Sequence, residues 1–217
     1  MYRRQFLAGL MLATSPLAIT HTVAQPAPPP GSIPAPTYLS MAAKGGMLLE
    51  ETARDAFDKT GDPRVKKFAR AEVVEQVNLT DKLTANVPPE LMAGGAMPRG
   101  GLVGGLVAAP FLVAGAAVGA AGSLIGLGGQ PVPMTSDAQK AYMIARIRAT
   151  ASGPQYDAVF VNTQLMGHHE AYAIHSSYAQ SGDDPALRKI ARGALPLLRL
   201  HISQLTRMQA MMGGPQG

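Results

Sequence analysis

The sequence predicts an all-α protein, in which two helical hairpins pack as an antiparallel four-helix bundle. Three observations favour this fold. Hydrophobic residues make up 47% of the 217 residues and aromatic residues only 5%, a balance typical of helical packing rich in alanine and leucine. A motif that combines a turn with a helix start occurs twice, and the residues after each copy follow helical spacing. The length suits one domain with appended segments.

Residues 1–24 have the features of an export signal. Arg3 and Arg4 precede an uncharged stretch, 6–19, that is too short to span a bilayer. Small residues precede Gln25, where we expect the mature chain to begin. The arginine pair is compatible with the twin-arginine pathway, and an ordinary Sec signal is the alternative. Both alternatives predict a location in the periplasm or cell envelope.

The rest of the chain divides by composition. Residues 25–36 are rich in proline and predict an extended linker. The bundle domain is predicted over 37–211, with an insert at 87–136 and a flexible tail at 212–217. Apolar spacing and helix-start signals predict helices over 37–59, 63–86, 137–149, 154–180 and 185–211.

The helix start at Asp62-Pro63 recurs 122 residues later as Asp184-Pro185. Aspartate suits the N-cap, and proline suits the first turn because its missing N–H is not needed there. A glycine before each copy is predicted to close the preceding helix. Each copy is therefore the turn of a hairpin. Positions in register after the two turns form the predicted inward seams: Val65, Ala69, Glu72, Gln76, Leu79 and Leu83, and Leu187, Ala191, Ala194, Leu198, His201 and Leu205.

The stretch 100–129, between the hairpins, has ten glycines, seven alanines and no charge. Its small residues at intervals of four are typical of contacts between membrane helices. A single membrane crossing would separate the two hairpins, which must meet to bury a shared core. We therefore expect the insert to contact a membrane surface from one side, to associate with other copies, or to form a flexible loop.

Patterns on four of the predicted helices resemble one bacterial family. They lie at 41–51, 63–83, 156–170 and 195–201. In their order and spacing they resemble the exported ferritin-like family catalogued as domain of unknown function 4142, whose members are often described as outer-membrane or periplasmic proteins. The resemblance implies a ferritin-like bundle with the insert in its long crossover. It implies no established activity.

The family tends to carry an acidic residue followed by histidine on the second and third helices. This chain has Glu75-Gln76 and His168-His169 there, and it keeps the histidine of the last helix as His201. Ferritin-like di-iron centres use Glu-x-x-His pairs, which the sequence lacks, so a standard di-iron centre is not expected.

A mononuclear site for iron, zinc or copper is one hypothesis for the polar residues of the seam. Alternatively, these groups hydrogen-bond one another and fix the helix register. Spacing alone does not decide whether His168 or His169 points inward, and the family position favours His169. The candidate metal ligands are His169, His201, Glu51, Glu72 and Glu75.

Several functional classes have no residues to support them. The absence of cysteine excludes disulfides and thiolate metal sites. The net charge of +5 is not gathered in a basic motif for nucleic acid, and the chain has neither a nucleotide-binding fingerprint nor a hydrolase triad pattern. The predicted function is a non-catalytic envelope protein that contacts a membrane surface or other copies through 100–129. The alternative is a metal-binding ferritin-like protein that uses His169 and His201.

Overall fold

The structure is a computed structural model, and it describes residues 31–87, 123–125 and 131–213. Within these ranges the chain is helical apart from two short strands. The five predicted helices are confirmed, and their ends lie within two residues of the predicted ones. They are α1 (Ala35–Lys59), α2 (Pro63–Ala85), α3 (Asp137–Ala149), α4 (Pro154–Ser181) and α5 (Pro185–Gly213).

The four long helices pack as a helical bundle. Helix α1 packs against α2, and α4 packs against α5, which confirms the two predicted hairpins. Helix α1 also contacts α4, and α2 contacts α5. The short helix α3 lies against α1 and α4. Neighbouring long helices run antiparallel, so that the start of α1 meets the end of α4.

The repeated helix start takes the same form in both hairpins. The Asp62 carboxylate accepts hydrogen bonds from the backbone N–H groups of Arg64 and Val65. The Asp184 carboxylate accepts one from the N–H of Leu187 at 2.8 Å. Each aspartate therefore satisfies N–H groups that the first turn of a helix leaves unpaired, as the sequence predicted.

The prediction that a glycine closes each preceding helix is confirmed for α4, where Gly182 is the C-cap, whereas Thr60 rather than Gly61 is the C-cap of α1. Neither Gly61 nor Gly182 has a positive φ. Gly182 has extended backbone at the end of α4, and a Cβ there would lie 2.6 Å from the Tyr178 ring. Close contact with an aromatic ring, rather than backbone conformation, thus accounts for this glycine.

The apolar core has two main clusters at opposite ends of the bundle. One contains Tyr38, Leu39, Tyr178 and Leu187, and we call it the aromatic end. The other contains Val65, Phe68, Tyr156, Phe160 and Leu205. Glu72, His168 and His201 are buried along the same helices, between residues of these clusters.

Residues 31–34 are the described part of the proline-rich linker that precedes α1, and the last two residues of the predicted linker, 35–36, belong to α1. The backbone of Ile33 donates to Ser181 O at 2.8 Å and accepts from Asp183 N at 3.1 Å. These two bonds fix the entry to α1 beside the α4–α5 turn.

Most of the insert lies outside the described residues. Its described part includes two antiparallel strands, β1 (Ser123–Ile125) and β2 (Pro131–Pro133). The predictions for 1–24 and most of those for 100–129 concern residues that the structure does not describe. Across the described ranges, none of the helices combines the length and hydropathy that a membrane span requires.

Candidate metal centre

Three side chains from three helices meet inside the bundle. Glu72 comes from α2, His168 from α4 and His201 from α5, and they are 0%, 0% and 5% exposed. Glu72 Oε2 lies 3.2 Å from His168 Nε2 and 3.0 Å from His201 Nδ1. The two ring nitrogens are 3.0 Å apart. One carboxylate oxygen and two imidazole nitrogens therefore form a nearly equilateral triangle.

The second polar atom of each side chain faces a separate partner. Gln76 Nε2 donates to Glu72 Oε1 at 2.8 Å. His168 Nδ1 lies 2.8 Å from the backbone oxygen of Gln164, which can only accept, so Nδ1 carries a proton and donates. His201 Nε2 lies at ion-pair distance, 3.0 Å, from Glu75 Oε2, which like Glu72 Oε2 makes no hydrogen bond among the described residues. These partners orient the side chains so that Glu72 Oε2, His168 Nε2 and His201 Nδ1 face one another.

Glu72 Oε2 is fully buried, yet it has no hydrogen-bond partner among the described residues. The two imidazole nitrogens lie within ion-pair distance of it, at 3.2 and 3.0 Å. A buried carboxylate oxygen without a hydrogen bond is costly, so its placement calls for an explanation. A cation shared by the three atoms would provide one.

The separations are close to those of a metal site. A tetrahedral ion with ligands at about 2.0–2.1 Å places neighbouring ligand atoms about 3.4 Å apart. The triangle in the structure is a few tenths of an ångström smaller. Small side-chain rotations would therefore open it to the size that an ion requires.

Electrostatics favour an ionised Glu72. Burial alone would raise the pKa of Glu72, but the charges of His168 and His201 and their proximity hold it well below its ordinary value. Burial alone would lower the pKa of His201, but Glu72, aided by the charge of Glu75, raises it. Glu72 is therefore ionised inside the bundle, where a buried anion needs a positive partner.

The surroundings are apolar on one side and open on another. The ring of Phe68 packs edge-on to that of His201, with centroids 5.1 Å apart, and lies 6.0 Å from that of His168. On the open side, a groove of about 650 Å³ between α2 and α5 is lined by Glu75, His168 and His201. The groove therefore opens the cluster to solvent at His201, which is 5% exposed, whereas His168 has no exposed surface.

The structure brings together some of the candidates that the sequence indicated. Glu72 and His201 meet, and Glu75 lies next to His201. His169 is exposed, so its side chain does not join the cluster. Glu51 pairs instead with Arg148 at 2.6 Å.

His168 takes the inward position that the sequence argument left open. It belongs to a stripe with Val161 and Leu165 at alternating steps of four and three, a pattern that agrees with an inward position but does not by itself exclude His169. Its neighbour His169 falls about 100° further round the helix, on the solvent side.

Comparison with known families finds one match. Residues 116–208 are similar to the family described as Domain of unknown function (DUF4142). The match includes His168 and His201, whereas Glu72 and the rest of the first hairpin lie outside it. No curated protein and no solved structure matches the chain.

Proposed function

We propose that the protein is an exported ferritin-like bundle that binds one transition-metal ion through Glu72, His168 and His201. The observation that carries this proposal is the triangle of one oxygen and two nitrogens. Its atoms come from three helices, are 3.0–3.2 Å apart and are buried. Each side chain also has its second polar atom against a separate partner, as metal ligands commonly do.

The donor set narrows the choice of ion. Two imidazoles and one carboxylate suit zinc, copper(II) and iron(II), and the chain has no thiolate to favour softer ions. We expect copper(II) and zinc to bind more tightly than iron(II), following the usual affinity order of divalent ions. A bound ion would neutralise the buried charge of Glu72 and link three helices.

The ferritin-like assignment is supported by connectivity. Helices α1 and α2 form one hairpin, α4 and α5 form the other, and α1 lies against α4. Helices α2 and α4 therefore run in the same direction, and the chain between them must return along the bundle. One long crossover between two hairpins is the ferritin-like arrangement. Export is supported by the sequence features of residues 1–24.

The non-catalytic envelope role through 100–129 stays a prediction. Most of that stretch lies outside the described residues, so the geometry adds nothing for or against contact with a membrane or with other copies.

The test is a titration of the full mature protein with Zn²⁺, Cu²⁺ and Fe²⁺, together with elemental analysis of protein exported natively. We expect one ion per chain. His201→Ala should weaken binding at least about 100-fold, because it removes one of three ligands. His169→Ala is the matched control, since it removes an exposed histidine next to His168. Its affinity should equal that of the wild type.

Two results would contradict the proposal. One is equal metal affinity in His201→Ala and His169→Ala, which would place any bound ion elsewhere. The other is an unchanged thermal midpoint at excess metal. Binding to the folded state alone, at 100 times the dissociation constant, should add about 2.7 kcal/mol of stability. If excess metal does not change the thermal midpoint, Glu72, His168 and His201 form a hydrogen-bonded polar cluster with a structural role only.

A further inference from the structure

The groove over the metal centre extends well beyond the metal ligands. From Glu75, His168 and His201 it continues between α2 and α5 to Lys82 and Lys189. Its volume of about 650 Å³ is within the range of small-molecule sites. One continuous concavity thus connects the candidate metal position with two lysines.

The charge of this concavity is unbalanced. Lys82 and Lys189 have no ion-pair partner in the part of the chain that the structure describes. The acidic residue among those described along the groove is Glu75, whose carboxylate is already 3.0 Å from His201. Helix α5 carries five basic residues and no acidic one. Such an excess of positive charge attracts anions.

The walls of the groove are apolar between its lysine end and its imidazole end. Leu79, Ile190 and Leu197 line the groove between the lysines and the imidazoles. Lys82 lies ten residues after Glu72, which is about 15 Å along α2. A molecule that reaches both the metal and a lysine must therefore be elongated, with polar groups at its ends and an apolar middle.

We propose that the groove binds an elongated organic dianion, with one carboxylate or phosphate group as the fourth ligand of the metal ion and the other held by Lys82 and Lys189. This inference rests on the proposed metal-binding function, because three protein ligands leave a coordination position for the anion. Both imidazoles line the groove, so the ligand enters from that side. A concave site of this size favours a small molecule over a flat membrane surface.

The test uses full mature protein loaded with Co²⁺, whose visible absorption changes when a new ligand coordinates. The probes are octanedioate, the shorter dicarboxylate succinate, the monocarboxylate octanoate, and octyl phosphate, which separates phosphate from carboxylate coordination. Octanedioate should change the spectrum at a concentration about ten-fold lower than succinate or octanoate. Octyl phosphate should change the spectrum at the same concentration as octanoate if the two head groups coordinate equally well. If octyl phosphate acts at a lower concentration than octanoate, phosphate is the preferred donor.

Lysine variants locate the far end of the ligand. Lys82→Gln and Lys189→Gln should each weaken octanedioate binding about three- to five-fold, the range expected for an exposed ionic contact. Neither variant should change the affinity for Co²⁺. Lys66→Gln is the matched control, because Lys66 is an exposed lysine of α2 whose ammonium lies over the Phe57 ring, outside the groove. It should leave octanedioate binding unchanged.

Each contrary result has a distinct meaning. Failure to bind Co²⁺ would overturn the proposed function itself. If Co²⁺ binds but no probe changes its spectrum, or octanoate binds as tightly as octanedioate, the dianion proposal is wrong and the metal proposal stands. Equal octanedioate affinity with and without metal would also overturn it. Binding to anionic phospholipid vesicles that depends on Lys82, with no spectral response to the probes, would identify a membrane surface instead.

Discussion

His168 and His175 lie two turns apart on α4, and both are almost fully buried, at 0% and 2% exposure. Their surroundings differ. His168 faces the carboxylate of Glu72 and the ring of His201. His175 belongs to the aromatic end, where its Nδ1 lies 2.9 Å from the hydroxyl of Tyr38.

The comparison separates two uses of a buried imidazole. Without a carboxylate nearby, burial lowers the pKa of His175 to about 4, so its ring is neutral at physiological pH. In the centre of the bundle, burial also lowers the pKa of His201, but the Glu72 carboxylate outweighs this effect and raises it. The anion therefore decides whether a buried histidine is suited to a cation site or to neutral packing.

Removal of that anion should have the largest effect on stability. Glu72→Ala in metal-free protein should lower the free energy of unfolding by about 3–5 kcal/mol, because it leaves buried polar groups without their charged partner. Urea denaturation would measure the loss. Glu75→Ala is the control on the same helix, and its effect should be smaller since the Glu75 side chain is 29% exposed. Equal losses would show that Glu72 has no special role.

The aromatic end should respond to pH in a predictable direction. The pKa of His175 is about 4 when folded and near 6.5 when unfolded, so the unfolded chain binds a proton first as the pH falls. Above about pH 6.5, His175 is neutral in both states and does not affect stability. As the pH falls from 6.5 to 4, protonation of His175 in the unfolded chain should lower the free energy of unfolding by up to about 3 kcal/mol.

Tyr38 faces His175 and stacks on Tyr178, and burial raises the pKa of both tyrosines, so neither titrates in this window. Denaturation at several pH values should therefore show a shallower slope for His175→Phe than for the wild type. His169→Gln, which changes an exposed histidine, should keep the wild-type slope. An unchanged slope in His175→Phe would assign the pH dependence to other groups.

A smaller effect is expected from the glycine at the aromatic end. Gly182→Ala should cost about 1–3 kcal/mol, because the added Cβ would lie 2.6 Å from the Tyr178 ring. Gly61→Ala, in the other hairpin turn, meets no atom within 4 Å and should be tolerated. Thermal denaturation of both variants would test whether packing distinguishes the two turns.

The smallest predicted effect concerns the two helix starts. Asp62→Ala and Asp184→Ala should each lower stability by about 1 kcal/mol, since each removes an N-cap. Similar losses of stability in the two variants would show that the two aspartates cap their helices equally well. A loss at one site only would show that the repeated sequence has different roles in the two hairpins.

The helices could be predicted because their signals are local. Asp62 and Asp184 act within one turn, and apolar spacing reports which side of a helix is buried. Apolar spacing is a weaker signal in α4, because buried residues lie on several sides of this helix. It therefore does not decide between His168 and His169. Glu51 pairs with Arg148, and its position relative to His201 could not be read from spacing, because it depends on how the two hairpins dock. That long-range register is not encoded in any single segment.

Two backbone hydrogen bonds hold Ile33 beside residues 181–183, which gives a reference point next to the end of α4. The chain has no cysteine, so a Ser32→Cys substitution would introduce its only thiol, which could carry a spin label. His168 lies 14 residues before Gly182, about 21 Å along α4. Magnetic dipolar coupling between that label and bound Cu²⁺ would thus measure where the ion resides, without altering any proposed ligand.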